Sequence, residues 1–446
     1  MAREKWGTKL GFMLAAMGSA VGLGNIWRFS FVAGNNGGGA FLILYLAFVL
    51  LIGVPLLLTE VSIGRKAESD VVGSFQKLAP RTPWYLTGFF GIASAFLILS
   101  FYAVVAGWAI FYLWNYINGS FFTSPEVGYD GAFGQFISHS WHPIAWTAFF
   151  MILTIVIVLS GVKKGIEGAN KIFMPLLALI LIGLAFFSLS LDGAAEGVRF
   201  LFQPNWAAFS EPSIYIAALG QAFFSLSLGM GAMLTYGSYL RKENKLPSAA
   251  LGIGIMDTFF AIISGLVIFP AVFAFGIDPS SGPPLVFITL PSIFEQMPFG
   301  GIIGMVFFFA LVLASLSSSV SILEVPTAFF MRIFGWSRFA TSVLMGSIMF
   351  VMGIGVSLGF GIWSGVTPIG ERNILDSMDY IASNILLPLG GLSMALLMGW
   401  YLKRSVALEA TDLTHSPLGS LWYFIVKFVA PVLILLIFLN KIGLFL

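Results

Sequence analysis

The sequence predicts an all-α membrane protein of 11 transmembrane helices, arranged as an inverted 5+5 repeat with broken helices 1 and 6 and one extra C-terminal helix. Three observations lead there. The 446 residues are 58% hydrophobic and only 9% charged, against about 25% charged in a soluble domain. Eleven segments are long and apolar enough to cross a bilayer, and their interiors show no period-2 alternation, which argues against a barrel. Two of those segments, five spans apart, carry matched Gly-x-Gly interruptions.

The spans are expected at residues 9–32, 38–64, 84–117, 143–162, 165–191, 211–240, 247–277, 299–333, 337–360, 372–402 and 419–442. They form one domain: a first repeat at 9–191, an inverted second repeat at 211–402, and helix 11 at 419–442. The charged opening Met1-Ala-Arg-Glu-Lys leads into a first span, not a cleaved signal peptide. An apolar stretch from Pro284 to Pro298 is too short to span and reads as a helical loop at the outer face. Of 22 basic residues, 17 fall in one alternating set of connections, from Arg3 and Lys5 to Lys403 and Arg404. By the positive-inside rule the N-terminus is cytoplasmic and, with an odd number of spans, the C-terminus is outside.

Composition narrows the function classes. A net charge of +2 argues for no nucleic-acid partner. There are no cysteines, and the three histidines, His139, His142 and His415, lie in polar connections. A membrane-embedded enzyme therefore lacks a metal motif or a nucleophile–base pair to work with. A channel needs a continuous polar pore, whereas polar groups here gather at the interruptions.

The first interruption reads Gly18-Ser-Ala-Val-Gly22-Leu-Gly24-Asn25-Ile-Trp-Arg28, the second Ser225-Leu-Ser227-Leu-Gly229-Met-Gly231. Each glycine costs a helix interior about 1 kcal/mol relative to alanine. Non-helical backbone at mid-membrane is tolerated where it lines a cavity or is buried in protein. Paired broken helices in two halves point to a transporter. Freed carbonyls there attract a cation, and exposed half-helix N-termini an anion; close helix packing through small residues is the alternative use of such glycines.

GSAVGLGNIWRF followed by NNGGGAF, GQAFFSLSLGMG and ASLSSSVSILE together resemble the neurotransmitter:sodium symporter family over essentially the whole chain. Eleven spans, short loops and Gly22 where monoamine carriers have Asp resemble its bacterial hydrophobic amino-acid transporters. The resemblance implies two Na⁺ ions, bound by hard oxygen ligands. Sodium site 1 would use Ala20, Asn25, Ser225 and Asp257 with the substrate carboxylate. Sodium site 2 would use the carbonyls of Gly18, Val21 and Ala314 and the hydroxyls of Ser317 and Ser318; lacking a formal anion, it would release first.

Many relatives have Asn at the position of Asp257 and bind chloride nearby, through positions corresponding to Tyr45, Gln221 and Ser225. Chloride-independent relatives often place an acid one turn on, where this chain has Ala261. Asp257 is therefore expected to supply the fixed charge, and transport to run without chloride. Because Asp257 could titrate, proton coupling is the main rival mechanism.

The resemblance also places the substrate. Its carboxylate would meet the N–H groups of Leu23 and Gly24 and the Tyr102 hydroxyl, its ammonium Ala20, Phe224, Ser225 and Ser227. Ile98, Tyr102, Phe224, Met230, Ser319 and Ile322 would wall its side chain. Met230, often Phe in relatives, would accept aliphatic and aromatic side chains alike. Arg28 and Asp379 would form the outer gate over an aromatic lid of Tyr102 and Phe224. Arg3 and Trp6 would form the inner latch, although Arg332 stands where its acidic partner usually sits. Glu60 and Glu324 are expected to bond broken-helix backbone. Gly165 and Pro175 make the cytoplasmic start of helix 5 easy to unwind, with a kinked helix start as the alternative. The expected protein is thus a Na⁺-coupled importer of hydrophobic L-amino acids, a monomeric unit surrounded by lipid in a bacterial inner membrane.

Overall fold

In the computed structural model, which describes residues 4–121, 125–241, 243–277 and 285–444, the glycines of the first interruption end a helix. Lys9–Ala20, capped by the Thr8 hydroxyl, stops at Val21, and the chain restarts at Gly24 to run to Asn35, bent by 49°. Among the described residues, nine further helices are long and apolar enough to cross a membrane, so the count reaches ten with this bent pair. They are Gly39–Ala67, Tyr85–Ile117, His142–Leu159, Val162–Leu189, Leu246–Ala274, Gly300–Phe334, Arg338–Leu358, Ile374–Tyr401 and Pro417–Lys441.

The remaining expected segment, 211–240, is two shorter helices, Pro212–Ser225 and Ala232–Ser238. Between them Ser227, Gly229 and Gly231 adopt positive φ of 53°, 83° and 81°, a conformation that costs a side-chain-bearing residue about 1–2 kcal/mol. Gly229 has a second constraint, since a side chain there would strike the Leu387 carbonyl. Its backbone N–H, freed by the break, donates to the buried carboxyl of Glu60.

The Gly300–Phe334 helix forms the centre of the bundle, with 89% of its most apolar window buried. It packs against Tyr85–Ile117, Val162–Leu189, His142–Leu159 and Lys9–Ala20. Its serines, Ser315, Ser317 to Ser319 and Ser321, lie at that centre, and all are buried. The expected outer loop contains a helix, Thr289–Gln296; Pro284 lies outside the described residues. The start of helix 5 is wound as a π-helical turn, Val162–Ile166, which leads into Glu167–Leu189 with Pro175 inside it.

Candidate ion and substrate sites

Two oxygen clusters flank the breaks. In the first, Asp257 is fully buried and has no cationic partner among the described residues. Ser225 Oγ lies 2.8 Å from both of its carboxylate oxygens, Asn25 Nδ2 donates to Oδ1 at 2.7 Å, and Tyr45 donates to Oδ2 at 3.0 Å. Asn25 Oδ1 accepts from Gly22 N–H at 3.2 Å. A carboxylate held in the protein interior by neutral donors alone is costly. A hard cation among these oxygens would offset that cost.

In the second cluster, Ser318 Oγ lies 3.1 Å from the Gly18 carbonyl and 3.2 Å from that of Val21. Ser317 Oγ lies 2.8 Å from the Ala314 carbonyl and 3.3 Å from Val21. The five oxygens named from sequence therefore converge, because the break at Val21 turns its carbonyls toward one face of the serine-rich helix. The set is all-oxygen and without formal charge, suited to a monovalent cation.

Between the clusters is a cavity of about 30 Å³ lined by Ala20, Leu23, Gly24, Ile98, Tyr102, Phe224, Ser227, Met230 and Ile322. Ser19, Gly22, Ser318 and Leu387 complete the wall. Leu23 N–H donates to the Tyr102 hydroxyl at 3.4 Å, and Ser227 Oγ to the Ser19 carbonyl at 3.0 Å. Ser319, expected in this wall, is not in it. One residue along a helix rotates a side chain by about 100°, and the Ser319 hydroxyl instead meets Thr154 Oγ1 at 2.8 Å.

The model of the Sodium:neurotransmitter symporter family matches residues 3–123 and 136–445. The chain belongs to that family. An uncharacterized sodium-dependent transporter, YhdH of Bacillus subtilis, is 40% identical over 443 residues, covering 98% of both chains. One from Haemophilus influenzae is 35% identical over 450 residues, again covering 98% of both chains. The crystal structure of MhsT in complex with L-phenylalanine superposes with a TM-score of 0.93 at 56% identity, covering 99% of this chain and 100% of that one. The protein is therefore a sodium-coupled membrane transporter of a small molecule, not an enzyme.

At the expected outer gate, Arg28 and Asp379 make no direct ion pair. The Arg28 guanidinium lies 4.1 Å over the Phe224 ring, and Asp379 Oδ1 accepts from Ser383 Oγ at 2.6 Å. The cation–π contact stabilises the guanidinium only in part, since its buried Nη1 has no hydrogen-bond partner among the described residues.

The expected inner latch of this symporter differs more from the sequence-based expectation. Arg3 lies outside the described residues. Trp6 is 2% exposed, caged by Phe12, Tyr236 and Tyr239, and its indole N–H donates to the Tyr236 carbonyl at 2.9 Å. The ion pairs around it involve other residues. Arg338 contacts Glu4 at 2.9 Å and Glu324 at 2.6 Å, and Tyr239 donates to Glu324 at 2.6 Å. Glu324 therefore serves an ion pair, not broken-helix backbone as expected; Glu60 does bond such backbone. Arg332, expected to disturb the latch, instead pairs with Asp70. Nothing in sequence marked Arg338, in a short polar link, as the partner of both acids.

Proposed function

We propose that this transporter imports hydrophobic L-amino acids, aliphatic and aromatic, together with two Na⁺ ions and without chloride. One observation carries the reading: an apolar cavity lies between two oxygen clusters, one containing a buried carboxylate without a cationic partner. Ion and substrate would meet there. A Na⁺ beside Asp257, Ser225 and Asn25 would accept the substrate carboxylate as a further ligand, so each charge makes the other tolerable. Ile98, Met230, Ile322 and Leu387 present hydrocarbon to the side chain and no charge. The L-phenylalanine in the MhsT complex is a hydrophobic amino acid of the class such a wall would accept.

The breaks at Val21–Leu23 and 226–231 supply the joints for alternating access between repeats 9–191 and 211–402. Outward of the cavity, Tyr102, Phe224, Arg28 and Asp379 close over the substrate; inward, the Trp6 latch opens to release it. Unwinding of helix 5 between Gly165 and Pro175 would let water reach the second cluster. The N-terminus lies on the cytoplasmic side of a bacterial inner membrane, the C-terminus outside, and a lipid-surrounded monomer is the working unit.

Binding of radiolabelled leucine and tryptophan to detergent-purified protein tests the reading in NaCl, sodium gluconate and KCl. Saturable binding in both sodium salts and its absence in KCl is expected. Binding only in NaCl would overturn chloride independence, and equal binding in KCl would replace sodium coupling with proton coupling.

A further inference from the structure

Asn170, on helix 5, is fully buried and uses only half of its carboxamide. Its Nδ2 donates to the Ile166 carbonyl at 2.9 Å, while Oδ1 has no hydrogen-bond partner among the described residues. The orientation follows from chemistry: a carbonyl can only accept, so the amide nitrogen must face Ile166 and the oxygen must face away. It faces Gly18. A side-chain carbon at Gly18 would overlap Asn170 Oδ1 and come within 3.0 Å of Ser317 Cβ. The unpartnered oxygen therefore sits at the edge of the second cluster, against a residue whose carbonyl belongs to it and beside another whose hydroxyl does. A buried acceptor left without a donor destabilises the fold, and a hard cation would remove that cost.

We propose that Asn170 supplies a further oxygen ligand to the second Na⁺, on the side of the cluster facing helix 5. The inference rests on the reading that this cluster binds sodium. The same side chain is tied through Nδ2 to Ile166, the last residue of the π-helical turn. Unwinding that turn moves Ile166 and frees the carboxamide to swing with the ion toward the cytoplasm. The ligand and the structure that must open are thus two ends of one amide.

Two substitutions separate a ligand from a structural tether. Asn170→Ala removes both the oxygen and the tether; Asn170→Asp keeps an oxygen, adds negative charge and loses the tether. The readout is the Na⁺ concentration giving half-maximal binding of radiolabelled leucine, with binding capacity at saturating Na⁺ and gel filtration confirming folded protein. As a ligand, Asn170→Ala should raise the half-maximal Na⁺ about fivefold and Asn170→Asp should lower it. Shifts in the same direction for both variants, or no shift in either, would overturn the proposal. If either variant fails to fold, the rate of ²²Na⁺ release from loaded Asn170→Gln, expected to change while leucine affinity holds, decides in its place; an unchanged rate would overturn the proposal. Wild-type binding that is indifferent to Na⁺ would instead refute the sodium reading of the cluster.

Discussion

Tyr45 donates its hydroxyl to Asp257 Oδ2 at 3.0 Å, joining the second span to the seventh at the acid beside the first break. Ser225 Oγ is 3.3 Å from the same hydroxyl. The three groups gather at the carboxylate, among the positions that the family resemblance would assign to chloride. Asp257→Asn removes the charge and keeps the shape. Leucine binding by this variant is expected to become chloride-dependent or to fall by at least about tenfold. Titration with leucine in NaCl and in sodium gluconate checks this, and unchanged binding in gluconate would refute the role given to Asp257.

Gly22 is where the substrate site has least room. A Cβ there would overlap Ser318 Oγ and come 2.9 Å from the Tyr102 hydroxyl. Neither neighbour can retreat without leaving its own partners, so Gly22→Ala should weaken leucine binding by about 1–3 kcal/mol. Equilibrium binding at saturating Na⁺ measures this directly.

Met230 is buried in the cavity wall, and its unbranched side chain adapts to what it faces. Met230→Phe replaces it with a rigid ring. Tryptophan affinity is expected to fall about tenfold, with leucine affected less, a size-dependent discrimination typical of apolar pockets. Competition of unlabelled amino acids against radiolabelled leucine reports the ratio.

Trp6 holds the inner side through its cage and its bond to the Tyr236 carbonyl. Trp6→Ala should cost the closed arrangement about 3 kcal/mol or more and favour opening to the cytoplasm. The chain has no cysteine, so a single Thr235→Cys at a fully buried position reports opening cleanly. Its reaction with a soluble thiol reagent is expected to speed up at least about tenfold in the Trp6→Ala background; equal rates would show that the latch lies elsewhere.

Much of this architecture was legible because it comes from backbone rules. Glycines at Gly18, Gly22 and Gly24 mark where a helix must yield, and the carbonyls released there have few places to turn but toward the serines of the eighth span. What stayed hidden depends on direction, not identity. Ser317, Ser318 and Ser319 are indistinguishable as residue types, yet helical rotation sends the last toward Thr154. Leu387 lines the cavity but is one leucine in an apolar span. Asn170 reads as an ordinary polar residue near a helix start until its partnerless oxygen is located. The inner ion pairs were missed because they join Glu4 to Arg338 across the fold, a separation of 334 residues.

That cluster also determines what opening leaves behind. Arg338 is shared by Glu4, whose side chain is 38% exposed, and Glu324, whose side chain is 0% exposed. In the proposed inward opening, Glu4 would carry its charge into water, where solvation is cheap. Arg338 and Glu324 remain as a matched pair with no net charge, still supported by the Tyr239 hydroxyl. The reverse split would strand an acid in the protein interior at a cost of several kcal/mol. The proposed inner latch would thus shed one member of a three-charge group and leave a neutral pair in the wall.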